Sequence, residues 1–425
     1  MVTSEKRKEK TMELIFDIQA FANPNVQTTT ASESGNDLSA AMKEYYDTEL
    51  LENAKEELFF NQFGKVQHLP EGNGKKVQWR KFDTFGKATT PLEEGVTPDG
   101  NTMNMKSVEA QVEQYGDYTT VSDMLDLTAV DDVILSCTEE HGAQAGLTLD
   151  TLTRNEICKG TNVSFAPKVV EGVESAVSFR YELDSSAKLT PTVINKAVTK
   201  LKKNKAPKIN GKYIAIIHPS VSEDLRESEG WLEAHKYAAV TELFNGEIGE
   251  LHGVRFIESN EAPIFRGEDL VPGVTRNLTV SSDVSSSTTV TVGTIEGLAG
   301  AVNRYVIING KKYKIVNING TNKIILDTAV TLKAGDVIYP GEGGACGCAA
   351  YGCIFFGRDA YGRVELSGGA MEMIVKAKGS AGTADPLNQR STVGWKAAHA
   401  AAILYEERLL RVECGSSYSE SDDAN

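Results

Sequence analysis

At 425 residues the chain is too long for one ordinary domain, and at roughly 150 residues per unit it predicts two to four. Its 40 % hydrophobic content, with 38 glycines besides, sits in the usual globular range and excludes global disorder. Forty-four basic residues against 59 acidic give a net charge of −15, which argues against a dedicated nucleic-acid binder and against attraction to anionic membrane surfaces.

The N-terminus carries Lys6-Arg7-Lys8-Glu9-Lys10 ahead of Met12–Phe16, but Asp17 and Gln19 interrupt the apolar run an export signal needs. The longest apolar runs fall far short of a membrane span, so the sequence predicts a protein made and kept in a cytoplasm. Residues 1–40 are polar and aperiodic and read as an arm. Leu38–Phe63 has helical spacing through Met42, Tyr45, Leu51, Leu58 and Phe59, and Gly64 ends it. A hairpin follows, with Gly72-Asn73-Gly74 as a turn and Val77 and Trp79 alternating with polar residues. Its middle, Gly86–Gly100, holds Pro91, Gly95 and Pro98. On the return strand Met103 and Met105 are out of phase with Val108, Ala110 and Val112, which predicts a bulge. With few large apolar groups, the hairpin reads as coreless and as reaching for a neighbour.

Asp131–Lys159 predicts one long helix, with Gly142 and Gly146 as candidate bends and Lys159-Gly160 closing it. A helix of that length reads as a spine rather than as core packing. Thr190-Pro191 opens a second helix as cap and first residue, with Val193, Ile194, Ala197, Val198 and Leu201 on its apolar face. The lysines 200, 202, 203 and 205 read as its solvated C-terminal end rather than as a phosphate patch. Tyr213–Ile217 predicts a buried strand, and helix followed by strand indicates an α/β-type unit. Trp231–Phe244 predicts a helix. Thr275–Pro340 changes character, being β-branched and Ser/Thr-rich. Asn309-Gly310 and Asn319-Gly320 separate strand-like runs there, which predicts a small inserted antiparallel β-domain between flexible junctions at Val271-Pro272-Gly273 and Gly341–Gly344. Met371–Lys376 predicts a strand, Thr392–Val412 mixed strand and helix, and Gly415–Asn425 a disordered tail.

The search for chemistry yields no catalytic, cofactor-binding or metal site residues. There is no G-x-S-x-G, H-E-x-x-H or P-loop pattern, and Gly72-Asn73-Gly74-Lys75-Lys76 precedes a strand where a phosphate loop needs a helix. The six histidines (68, 141, 218, 235, 252, 399) are scattered. Cys346, Cys348 and Cys353 form the one suggestive cysteine cluster. Its spacing lacks paired C-x2-C, so small buried residues of a strand-like run Ala345–Phe356 compete with a metal site, and the former is preferred. The reading is of a non-enzyme with no cofactor.

Several stretches in order resemble one family: Gln62–Val66, Ala88–Pro98, Gln114–Tyr118, Leu149-Asp150-Thr151-Leu152-Thr153-Arg154, Ile216–Pro219, Gly253–Glu258, Gly357–Gly362 and Gly379–Arg390. The family is the major capsid proteins of tailed bacteriophages, in the branch typified by coliphage N-four. The resemblance implies an α+β Hong Kong 97-type phage capsid fold with an N-arm, an E-loop, a peripheral domain with spine helix and an axial domain, here with an inserted small antiparallel β-domain. It implies the division 1–40 N-terminal arm, 41–74 N-terminal helix region, 75–118 E-loop hairpin, 119–189 peripheral domain, 190–274 axial domain, 275–340 insertion, 341–375 axial domain, 376–414 return to the peripheral domain and 415–425 tail. The implied function is a subunit assembling with itself, as hexamers and pentamers, into an icosahedral head. Scaffold and portal proteins are implied partners, with double-stranded DNA enclosed without sequence-specific contacts, no membrane partner, and a virion location after assembly in the host cytoplasm. Some relatives cross-link through Lys and Asn; Lys87 lies near the loop, but its neighbours suggest no supporting pocket. The rival readings are a cellular nanocompartment shell and a secreted β-rich binding protein.

Overall fold

The computed structural model describes residues 58–69, 74–82, 102–128, 133–170, 172–228, 247–366, 371–380 and 386–425, with isolated positions between 85 and 100 and at 230–231. The predicted arm, the helix of residues 38–63 up to residue 57, the turn at residues 72–73 and the helix of residues 231–244 beyond Trp231 lie outside the described residues. The chain divides into two compact units. The smaller takes Gln114–Gly146 and Gly369–Ala397, and the larger takes Leu58–Glu113, Leu147–Gly368 and Ala398–Asn425.

In chain order the first strands are β1 (Lys65–Leu69), β2 (Lys76–Phe82), β3 (Met105–Gln111), β4 (Glu113–Ser122), β5 (Val163–Phe165), β6 (Lys168–Val170), β7 (Val173–Ser175), β8 (Tyr213–Ile217), β9 (Glu247–Leu251), β10 (Val254–Glu258) and β11 (Ile264–Phe265). They continue as β12 (Leu278–Thr279), β13 (Val284–Thr291), β14 (Tyr305–Ile308), β15 (Lys311–Asn319), β16 (Lys323–Leu332), β17 (Val337–Pro340), β18 (Ala350–Phe356), β19 (Tyr361–Leu366), β20 (Met371–Lys376), β21 (Arg390–His399), β22 (Ala401–Ile403) and β23 (Leu409–Cys414). The helices are α1 (Asp123–Thr128), α2 (Val133–Cys158), α3 (Pro191–Lys203) and α4 (Pro219–Glu227).

The larger unit is built on a seven-stranded mixed sheet in the order β5-β23-β18-β8-β10-β9, with β11 beside β18. All five residues of β8 are buried, because the sheet is covered on both faces. Tyr213, Ala215 and Ile217 join the core made by α3, while Ile214 and Ile216 join Phe60, Ile157, Ile354 and Phe356 on the other side. The period-two alternation of a strand thus sorts one apolar run into two cores. Helix α3 forms as its sequence dictates. The Thr190 hydroxyl accepts the Val193 N–H at 3.4 Å, Pro191 starts the helix, and all five predicted apolar residues are buried.

Helix α2 runs unbroken through Gly142 and Gly146. Its second half is core rather than bare spine. Leu149, Asp150, Thr153, Arg154 and Ile157 recur at helical spacing and are all buried.

The β2–β3 pairing runs in uninterrupted register from Lys76↔Gln111 to Phe82↔Met105, so the predicted bulge is absent. Met105 simply points to the face opposite Val108 and Ala110 and is exposed. Nor is the hairpin coreless at its base. Val77 and Trp79 are buried against Val364, Ala400 and Leu404. The indole of Trp79 lies over Gly362 of the sheet β1-β19-β22, where a Cβ would come within 3.0 Å of the ring.

The predicted inserted strands form one six-stranded sheet in the order β12-β17-β14-β15-β16-β13. Its two ends meet: Val280, just past β12, bridges Val292, just past β13, and the Ser281 N–H donates to the Thr291 carbonyl at 2.8 Å. The sheet therefore curls until its two edge strands touch at one end, in a barrel-like form. Its interior holds Leu278, Val290, Val306, Ile315, Ile324 and Ile338 among others. Asn309 and Gly310 both adopt positive φ, as a two-residue hairpin turn requires. At Asn319-Gly320 only the glycine does, and the loop is the three residues 320–322.

At the second junction the glycines are closely packed, whereas Gly273 at the first has open space around it. A Cβ on Gly341 would stand 2.7 Å from the Tyr305 backbone, and one on Gly344 2.5 Å from the Leu183 carbonyl oxygen. These glycines are there for close approach. Leu270 and Val271 belong to the barrel core, which extends upstream of the predicted boundary.

The tail, predicted disordered, is packed along the larger unit. Ser416 and Ser417 hydroxyls donate to Asp224, Tyr351 OH donates to Asp422 at 2.6 Å, Asp423 bridges Arg266 and Arg276, and the Asn425 amide donates to the carbonyls of Asn260 and Ala262. A polar tail has no apolar period to reveal this; its order comes from acceptors matched to donors on distant elements.

In the smaller unit β20, β21 and β4 form a sheet, and Gly394 is required where a Cβ would meet the Asp117 carbonyl at 2.7 Å. Gln144 of α2 bonds Asp117 and receives the Trp395 indole N–H at 3.0 Å.

Candidate assembly surfaces

The side chains that suggest chemistry in the sequence are placed as follows. Cys346 and Cys348 do not lie in a strand: β18 starts at Ala350, and Cys346 is exposed in a turn with φ 57°. Cys353 and Cys414 are buried neighbours on β18 and β23, sulfurs 3.7 Å apart and not bonded. Burial and their mutual contact hold the Cys414 thiol well above its usual range. No group of three or more His, Cys, Asp or Glu side chains suited to a metal occurs among the described residues.

One arrangement has the composition of a hydrolytic triad. His218 Nδ1 lies 3.1 Å from Ser220 Oγ, and Ser220 Oγ donates to Asp422 at 2.9 Å. Its geometry is wrong for that work. A base must accept the serine proton while the acid orients the base. Here the acid takes the serine proton, and Nδ1 accepts the Ser220 N–H at the start of α4. His218 is a helix cap, and burial pushes its pKa down.

The smaller unit carries a groove of about 560 Å³ over the β20-β21-β4 sheet, lined among others by Tyr118, Ile374, Lys376, Thr392 and Lys396. Its carboxylate, Asp117, is already tied to Gln144 and to the Tyr118 N–H, which hold its pKa down. Lys87 is exposed.

What stands out instead is exposed apolar surface, grouped by element. The far end of the hairpin presents Phe82, Phe85, Met103 and Met105, each half exposed or more. Helix α1 presents Met124, Leu125 and Leu127, and the β6–β7 hairpin presents Val169, Val170 and Val173. A chain that stayed alone would rarely group such exposed apolar residues on single elements. Hydrophobic periodicity locates residues that face the chain's own core, so it identified Val77 and Trp79 but gave no signal for these outward groups.

Mixed sheet, long helix and projecting hairpin together make the Hong Kong 97-type capsid fold. The capsid of Ralstonia phage GP4 matches with a TM-score of 0.54 at 12 % identity, over 95 % of this chain and 98 % of that one. The capsid of cyanophage P-SCSP1u matches with a TM-score of 0.51 at 13 % identity, over 85 % of this chain and 89 % of that one. The cyanophage Pam1 capsid matches with a TM-score of 0.50 at 10 % identity, over 85 % and 92 %. No protein-family profile and no curated protein matches the sequence.

Proposed function

We propose that this chain is a major capsid protein, a structural subunit that assembles with itself into the icosahedral head of a tailed phage. The observation that carries the reading is the capsid fold extending over most of the chain, 95 % of it against the Ralstonia phage capsid. The exposed apolar groups on the hairpin, on α1 and on β6–β7 support it, since assembly would cover them. In this reading residues 75–118 act as the E-loop, α2 is the spine, and the seven-stranded sheet with α3 and α4 belongs to the axial domain. The barrel is an insertion in that domain, and kinship with the N-four-like branch is part of the proposal. The role is architectural rather than catalytic, with scaffold and portal proteins as partners and DNA enclosed by the shell. Purified protein, alone or with a co-expressed scaffold, is expected to give closed shells in electron micrographs. A strictly monomeric, folded protein under every such condition would refute the reading.

A further inference from the structure

The turn Asn61–Phe63 is held by a chain of buried polar groups. Asp150 Oδ1 accepts the Asn61 N–H at 2.9 Å, and the N–H groups of Phe60 and Phe59 also face this carboxyl. Its Oδ2 is buried with no partner among the described residues. The Asn61 side chain lies 3.5 Å from Thr153 Oγ1, and that oxygen lies 3.0 Å from His399 Nε2. The Thr153 hydroxyl is also 3.0 Å from the Leu149 carbonyl, which can only accept, so the threonine proton goes there and His399 Nε2–H is the donor to Oγ1. Asp150 is 0 % exposed and His399 5 %.

The two titratable ends do not touch, and neither can neutralise the other as an ion pair. Each instead has a charge of its own sign nearby: Glu261, from the loop after β10, acts on Asp150, and Arg363, from β19, acts on His399. Glu261 is held by Arg154 of α2 at 3.1 Å. Tyr361, also on β19, donates its hydroxyl to the Phe60 carbonyl at 2.5 Å. Burial, opposed by the three N–H groups and assisted by Glu261, pushes the Asp150 carboxyl up to about 7. Burial and Arg363 push His399 down to about 4.

We propose that Asp150 and His399 form a clamp behind the turn Asn61–Phe63 whose two ends fold in opposite protonation states, the carboxyl with its proton and the imidazole without. Folding then amounts to an exchange of protons. The folded chain keeps on Asp150 a proton that the unfolded chain releases above about 3.8, and lacks on His399 one that the unfolded chain holds below about 6.5. Asp150 therefore contributes stability at low pH that is lost as pH rises through about 7. His399 contributes stability present above about 6.5 that is lost as pH falls through about 4. Between about pH 4 and 6.5 the two slopes cancel, so the clamp leaves no net pH dependence until one end is removed.

The test compares the unassembled full-length chain with Asp150→Asn and His399→Gln, by urea unfolding from pH 5 to 9. Relative to the unaltered chain, Asp150→Asn should gain about tenfold in folding equilibrium per unit as pH rises from 5 to about 7, then run parallel. His399→Gln should lose about tenfold per unit from pH 5 to about 6.5, then run parallel. Curves of either variant parallel to the unaltered chain throughout would overturn the proposal. Should a variant fail to fold, exchange of the imidazole C2 proton, followed by mass spectrometry in the unaltered chain, decides it: an apparent value well below 6.5 at His399 supports the clamp, and one near 6.5 overturns it. None of these measurements depends on assembly, so the clamp and the capsid reading fail separately.

Discussion

Glu413 is almost fully buried between two guanidinium groups. Arg180 reaches its carboxylate with two bonds, at 2.7 and 2.6 Å, and Arg411 with one at 2.8 Å. The Arg180 guanidinium also stacks on the Phe265 ring at 3.6 Å. This arrangement ties the segment before α3 to β23 and β11, and removing its centre would leave Arg180 without its carboxylate and Arg411 with only the Cys158 and Gly160 carbonyls. Glu413→Ala is expected to destabilise the subunit by about 3–5 kcal/mol, the usual consequence of breaking a buried charge group from one side. Urea unfolding at neutral pH measures it, and a loss under about 1 kcal/mol would mean that water replaces the carboxylate readily. Glutamate at an alternating strand position gives no sign in the sequence of such a role. Its partners lie 233 residues away and two residues away, and only the fold brings the first of them close.

The barrel between β12 and β17 is the element most nearly complete in itself. Its core is its own, and the two ends of its sheet meet at the Val280–Val292 bridge. A segment of residues 268–342 expressed alone is expected to show β-sheet circular dichroism and a cooperative thermal transition. An unfolded segment would show that the host supplies essential contacts, such as the salt bridge from Asp423 of the tail to Arg276. The extent of the barrel core alters how the insertion should be removed. A linker replacing residues 275–340 would strand Leu270 and Val271 without their core, so a clean excision begins at residue 270.

At the scale of the whole molecule the hairpin separates folding from assembly. Its base is fastened to the chain through Val77 and Trp79, while its far end exposes Phe82 and Met105. Removing residues 86–100 should therefore leave a folded subunit with an unchanged unfolding midpoint, yet one that no longer forms closed shells. Sedimentation and electron microscopy together check this. Normal shells from the deletion variant would show that the far end makes no essential intersubunit contact.

The local elements of this protein follow from the sequence by itself, because their causes are local. Apolar spacing, a Thr-Pro start and a lysine-rich end suffice for α3; five apolar residues in a row suffice for β8; an Asn-Gly pair suffices for the turn at residues 309–310. The capsid resemblance was likewise legible in ordered short stretches. One of them, Leu149–Arg154, contained the buried Asp150 and Thr153 without any hint of what they hold. Only the tertiary structure decided that the hairpin base has a core, that the two ends of the inserted sheet meet, that the glycines of the second junction are tight contacts, and that the polar tail is packed. Each of these depends on which distant groups meet: Trp79 with Gly362, Val280 with Val292, Gly344 with Leu183, Asp423 with Arg276. Burial of a polar group, and with it the proton affinity of Asp150 and His399, is set by that long-range packing and has no periodic trace along the chain.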